Sequence, residues 1–139
     1  MILLDTNVLI CAGDPASPFH KWAVRVIEEA VAEGEGACAN AVSLAELCVG
    51  DQNPENVPNR IAAWGVTLVA VPFAAAIPCA SAYAAYRTRR KAESGKEAPP
   101  MPLPDFFIGA HAQVMGWKVA TTDLARFKTY FPSLQLLSP

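Results

Sequence analysis

The chain has 139 residues, 53% hydrophobic and 17% charged, with 12 prolines; that length suits one domain with a full layered core, and the prolines exclude a coiled coil or fibre. A net charge of −2 and a pI near 5.6 exclude a protein that grips nucleic acid by bulk electrostatics, so a polyanion would need a local basic patch or a bridging cation. Neither a basic, then apolar leader nor a stretch of roughly 18 uncharged apolar residues is present, which makes the cytoplasm the expected address and a membrane an unexpected partner.

Met1 to Asp5 reads as a short buried strand of the kind covered on both faces in a parallel sheet. After the turn signals of "GDPASP", Ser17 is suited to cap and Pro18 to open a helix reaching about Gly34, with Trp22, Ala23, Val26, Ile27, Ala30 and Val31 on one face. "ACANAV" predicts a second strand over 37–42, leading through Ser43 into a helix "LAELCVG", and "PENVPNRIAAW" predicts another helix. "VTLVAV" over 66–71 is the clearest strand, rich in β-branched residues. A long Ala-rich helical stretch follows from Phe73 to about Glu93, interrupted by Pro78, and then a proline-rich loop from Ser94 to Pro104. "DFFIGAHAQVMGW" predicts a helix ending at Gly116, "KVATT" a fourth strand, and "LQLL" a short fifth. Strands alternating with helices predict a three-layer α/β/α sandwich around a mainly parallel sheet of four to five strands, with residues 1–139 forming one domain. The four cysteines, Cys11, Cys38, Cys48 and Cys79, form no C-x-x-C pair and only two histidines are present. The cysteines read as small core residues and not as a zinc or disulfide framework.

In a parallel α/β sheet the carboxyl ends of the strands share one edge, and ligands bind in the crevice outside it. Asp5 ends the first strand, Glu46 lies one turn into the helix after the second, Asp123 follows "KVATT", and Asp105 opens a helix directly after Pro104. Taken singly, Asp5, Asp105 and Asp123 could be helix N-caps, and Ser43-Leu44-Ala45-Glu46 fits a capping box. Taken together they predict something else, because serine, threonine or asparagine caps equally well without charge. Carboxylates a few ångströms apart repel by on the order of a few kcal/mol per pair at intermediate dielectric. A hard divalent cation with oxygen ligands, Mg²⁺ or Mn²⁺, is the ordinary resolution. Thr6, Asn7, Thr121 and Thr122 stand beside these acids in sequence, where hydroxyl and amide groups would orient carboxylates, waters or a phosphate.

The segments "LLDTNVLI", "SLAEL", "PLPDFFIGAHA" and "ATTDLARF" occur in that order across nearly the whole chain. Together they resemble the PIN-domain ribonucleases, and especially the VapC-like toxins of type II toxin–antitoxin pairs. The resemblance implies an α/β/α sandwich and a Mg²⁺- or Mn²⁺-dependent endoribonuclease. It further implies an acidic site of Asp5, Glu46, Asp105 and Asp123, polar supports at Thr6 and Ser43, a homodimer, and an antitoxin protein that blocks the site. One departure concerns the last motif, where Leu124-Ala125-Arg126-Phe127 supplies none of the further acidic or polar residues often found there. One metal versus two is left open.

Such a site would bind the scissile phosphate of RNA through one cation or two, generate hydroxide near neutral pH, and neutralise charge on the in-line transition state. Asp105 or Glu46 could orient the attacking water or take its proton. The one dense basic run, Arg87, Arg89, Arg90 and Lys91, is expected near the crevice mouth as a contact for the RNA backbone; a solvated helix end favoured by the macrodipole is the alternative. That placement assumes that Pro78 breaks off a short descending piece and that the helix after it climbs back to the carboxyl edge. Phe19-Trp22 or Tyr83-Tyr86 could supply a dimer face. A haloacid-dehalogenase-type phosphatase fits less well, since Asn7 stands where it needs a second acid, and a receiver domain lacks its mid-chain Asp. A PIN-like module that binds RNA or protein without cutting is the remaining alternative.

Overall fold

A computed structural model describes all residues 1–139. Five short strands, β1 (Ile2–Leu4), β2 (Ala37–Asn40), β3 (Thr67–Val69), β4 (Lys118–Ala120) and β5 (Leu136–Leu137), form one wholly parallel sheet in the order β3-β2-β1-β4-β5. Between them run seven helices: α1 (Thr6–Gly13), α2 (His20–Ala32), α3 (Ala41–Val49), α4 (Val57–Ala63), α5 (Ala76–Ser94), α6 (Pro104–Met115) and α7 (Leu124–Tyr130).

Alternation along the strands divides the core. Ile2, Leu4, Ala37, Ala39 and Ala120 pack with Val8, Leu9, Ala23, Val26, Ile27, Val57 and Ile61 from α1, α2 and α4. Leu3, Cys38 and Val119 turn the other way and pack with Cys79, Tyr83, Phe106, Ile108 and Phe127 from α5, α6 and α7. Both faces are thereby covered, giving the three layers expected from the sequence. Leu3 and Leu4 are both fully buried, each contributing on the order of 2 kcal/mol of transfer free energy. A one-residue slip of β1 would exchange their faces, so packing sets the register.

At Gly109 in α6, a Cβ would lie 2.3 Å from the Phe131 ring. Only glycine lets that ring close against the helix. Gly116 ends α6 at φ +67°, the left-handed conformation that glycine adopts without steric cost.

The strand expected over 37–42 stops at Asn40, where the Asn40 side chain caps α3 and draws Ala41 and Val42 into the helix, and the one expected over 66–71 narrows to Thr67–Val69; four larger differences concern the helices. The segment after Asp5 is the helix α1, whose buried Thr6, Val8, Leu9 and Ala12 occupy one face. With eight residues and β-branched or polar members it falls below the window where helical periodicity stands out. The short helix α7 was likewise not placed in the sequence, beyond Asp123 being suited to cap one. Pro78 breaks nothing: it lies in the first turn of α5, preceded only by a 3-10 turn over Phe73–Ala75, where a missing N–H costs no helical hydrogen bond. The two-piece route to the crevice mouth therefore falls. Finally, α2 starts at His20, after Ser17 Oγ accepts from the Phe19 N–H at 3.2 Å in a turn outside the helix.

Candidate functional site

The chain moves from β1 to β2 and β3 on one side, then returns to place β4 and β5 on the other. The switch point of this sheet therefore lies between β1 and β4, at their carboxyl ends, where open parallel sheets form a crevice. Asp5 sits at that point, its backbone N–H donating to Ala120 O at 3.0 Å.

Asp5 occupies the N-cap position of α1, yet its side chain caps nothing. Instead Oδ2 accepts from Thr121 Oγ1 at 2.8 Å, while Oδ1 is buried without a partner. The residue is 1% exposed. Burial is the main cause that pushes its carboxyl up to about 6; the Thr121 hydroxyl opposes the shift, and the charges of Asp105 and Glu46 add to it.

Glu46 approaches from α3, whose N-terminus is fixed by Asn40 at the end of β2. The Asn40 side-chain oxygen accepts from the backbone N–H groups of Val42 and Ser43 at 3.0 and 3.1 Å. Asn40 is thus the cap, and Ser43 is no capping-box residue; its Oγ is buried without a partner. Glu46 Oε1 accepts from Thr6 Oγ1 at 3.1 Å. Its carboxyl is raised above the ordinary value by burial, against the Thr6 bond, with a further push from the Asp105 charge.

Asp105 follows Pro104 at the start of α6, where Leu103 holds the cap position. Its Oδ2 accepts from Arg126 Nη1 at 2.8 Å. Its carboxyl is also raised, by burial first; Arg126 opposes the shift and Asp123 adds to it. Asp123 does cap, accepting from the Arg126 N–H at 3.3 Å at the start of α7, and its own N–H donates to Thr121 Oγ1 at 2.9 Å.

All four acids therefore share one neighbourhood, and capping accounts for Asp123 alone. As the side chains stand, no three carboxylates form a ready-made ligand set. Arg126 holds Asp105, Thr6 holds Glu46 and Thr121 holds one oxygen of Asp5. Thr6 and Thr121 are polar supports in the hydrogen-bonded sense; Asn7 is exposed, and neither it nor Thr122 is among the side-chain hydrogen bonds at the site.

Sequence reasoning did not place Arg126 at the site, nor Asn40 and His111, which support α3 and hydrogen-bond none of the four acids. Asn40 ends β2 as Asp5 ends β1, and an Asn before a helical run is a cap signal that was legible. His111, 1% exposed, faces the Asn40 amide across 3.3 Å through Nδ1; burial lowers its tendency to take a proton. Arg126 carries no spacing signal that would have placed its guanidinium on Asp105. That guanidinium also lies over the Tyr86 ring, 5.7 Å from its centroid.

The basic run lies on the C-terminal half of α5. Arg89 pairs with Glu93 at 2.8 Å and Lys91 with Glu97 at 3.8 Å, while Arg90 Nη1 donates to the Tyr86 hydroxyl at 2.8 Å. Arg87, Thr88 and Lys91 line an open cavity of about 320 Å³ together with Ala84, Glu97 and Ala98. Tyr86 thus lies between Arg90 and Arg126, joining this helix to the acids. Tyr83, proposed from sequence for a dimer face, is 3% exposed and stacks on Tyr86 and against Phe106; it is core. The exposed aromatic on this side is Phe73, beside exposed Ile77.

A search of curated protein sequences returns no match. Among solved structures, the chain is similar to DNA-bound VapBC from Salmonella typhimurium, at 21% identity and TM-score 0.66 over 99% of this chain and 96% of that one. It is similar to FitAcB from Neisseria gonorrhoeae at 26% identity and TM-score 0.61, over 100% and 98%. A third is VapC20 of Mycobacterium tuberculosis, a sarcin–ricin loop cleaving toxin, at 14% identity and TM-score 0.64 over the full length of both. No helix is long and apolar enough to cross a membrane. The family model of the PIN domain matches residues 2–130, nearly the whole chain, and with the parallel sheet and its acidic switch point already described, the chain belongs to the PIN domain family.

Proposed function

We propose that residues 1–139 form a single PIN domain acting as a Mg²⁺- or Mn²⁺-dependent endoribonuclease, the toxin member of a toxin–antitoxin pair. The observation that carries this reading is Asp5: a buried carboxylate with one oxygen lacking any partner, pressed by two further acids. A stability-driven core would not keep such a group. The donor set is all oxygen, which fits a hard divalent cation. Asp5, Asp105 and Glu46 would hold that ion, with Asp123 at its margin because its Oδ1 already accepts from Arg126.

When bound, the ion supplies charge neutralisation at the scissile phosphate and a more acidic water. The chain's own groups do the rest. Thr121 fixes the Asp5 carboxylate through one oxygen and leaves the other for a ligand. Thr6 orients Glu46, whose raised carboxyl suits it to take a proton from the attacking water. Arg87 and Arg90, which make no ion pair in the chain, are the members of the basic run best placed to meet RNA phosphates; Arg89 and Lys91 already have acid partners.

A partner protein that silences the site would bring an Arg or Lys to the carboxylates, since an acid cluster attracts a cation. Arg126 against Asp105 demonstrates that a guanidinium seats there. The similarity to VapBC, FitAcB and VapC20 structures supports the toxin–antitoxin setting. A homodimer is part of the same reading, with exposed Phe73 and Ile77 as its apolar contact. Cleavage of several labelled RNAs with Mg²⁺, with Mn²⁺ and with EDTA tests the reading. Divalent-dependent product that Asp5→Asn abolishes is expected. RNA binding without product at any metal concentration would favour the non-cleaving module instead.

A further inference from the structure

The last acidic motif contains a cation where further acids were looked for. Arg126 is held from three sides: its backbone N–H bonds Asp123 Oδ1, its Nη1 bonds Asp105 Oδ2, and its guanidinium lies over Tyr86. The bond to Asp105 uses one nitrogen of the guanidinium; Nε and Nη2 make no hydrogen bond within the chain, and the side chain is 31% exposed. A guanidinium presents donors along a rigid fork suited to paired oxygens of a phosphate. Any phosphate drawn to a cation at Asp105 therefore arrives beside the unused edge of Arg126.

Phosphodiester displacement spreads negative charge over the non-bridging oxygens, and sites of this kind neutralise it with two metal ions or with one metal and a fixed protein cation. Leu124, Ala125 and Phe127 offer no ligand for a second ion, and Asp123 has Oδ1 engaged as a cap, leaving a single oxygen. We propose that Arg126 is a catalytic residue that contacts a non-bridging oxygen of the scissile phosphate, making this a one-metal site completed by an arginine. The proposal rests on the nuclease reading above. A second consequence follows from the same contact: because Arg126 shares Asp105 with the incoming ion, it weakens metal binding in the absence of RNA.

The test uses the full chain and the variants Arg126→Met, which keeps the length of the side chain, and Arg126→Lys. Calorimetry with Mn²⁺ alone should give one ion per chain, bound a few-fold more tightly by Arg126→Met than by the wild type. Single-turnover cleavage at saturating RNA should fall about 100-fold in Arg126→Met, the usual cost of removing one transition-state donor, and recover in part in Arg126→Lys. A single phosphorothioate at the scissile phosphate should slow the wild type in one diastereomer, and that discrimination should shrink in Arg126→Met. A merely structural ion pair would not move it. Unchanged or faster cleavage by Arg126→Met, loss of its Mn²⁺ binding, or two ions per chain would each overturn the proposal. If the wild type itself gives no divalent-dependent cleavage, the nuclease reading fails before any variant is compared.

Discussion

Replacing Asp5 by Asn should stabilise the metal-free protein while destroying its metal response. Burial and neighbouring charge raise the Asp5 carboxyl from 3.8 to about 6. At about 1.4 kcal/mol per pKa unit, holding this group ionised at pH 7.5 costs the folded state about 3 kcal/mol relative to the unfolded chain. The sign follows from linkage. A carboxyl whose folded pKa is raised binds its proton more tightly in the folded state, so its contribution is fully present below the unfolded value of 3.8 and lost as pH rises through about 6. Asparagine removes the charge and can still accept from Thr121, but its amide hydrogens enter a site where Oδ1 had no partner, which costs about 1–3 kcal/mol. The net gain at pH 7.5 in EDTA should be about 0–2 kcal/mol, or up to roughly 8 °C in Tm for a domain of this size. The advantage over wild type should shrink by about 2 kcal/mol between pH 7.5 and pH 4. Thermal and urea denaturation in EDTA at both pH values measure it, followed by the same scans with Mn²⁺, which should raise the Tm of the wild type only. An Asp5→Asn protein less stable than wild type at pH 7.5 in EDTA, or a gap that does not change with pH, would refute the reasoning.

Because a ligand must lose its proton to bind, Mn²⁺ affinity measured by calorimetry should fall up to about tenfold per pH unit below about 6 and level off above it; binding at pH 5 should release a proton taken up by the buffer. The double variant Arg87→Ala/Arg90→Ala should weaken RNA binding uniformly across sequences and flatten the slope of log K against log salt by up to about 1.4, the value for two phosphate contacts on a single strand; retention of the wild-type slope would remove these residues from the RNA path. Asn40→Ala should lower stability by about 2–4 kcal/mol in urea titration, since it deletes the α3 cap and strands the buried His111 nitrogen facing it. Asn40→Asp, which keeps the cap acceptor, should recover much of that.

The parallel sheet was legible because its strands are apolar runs that end in recognisable polar residues, and strand ends in an α/β sheet map directly onto one edge. The position of Asp5 at that edge was legible for the same reason, whereas Glu46 and Asp105 approach it from the helices α3 and α6. What stayed hidden is the side-chain wiring within that edge. Thr121 bonds Asp5 across 116 residues of sequence and Arg126 bonds Asp105 across 21, distances over which spacing has no meaning. The helices α1 and α7 were hidden by their length, eight and seven residues. Pro78 misled because a proline in a first turn and a proline that breaks a helix look identical until the helix start is fixed. The aromatic pair Tyr83 and Tyr86 was ambiguous in sequence; burial against Phe106 resolved the first as core and left the second beneath Arg126.

The strand that leads into Asp5 precedes the other four in sequence, yet the neighbour that completes its pairing begins at Lys118 and the hydroxyl that steadies its carboxylate is Thr121. A polypeptide still emerging from the ribosome without these residues has an open flank on its central strand and no floor to its acidic crevice. The crevice is therefore a late product of chain synthesis: Asp5 and Glu46 are in sequence long before the sheet edge that gathers them is complete.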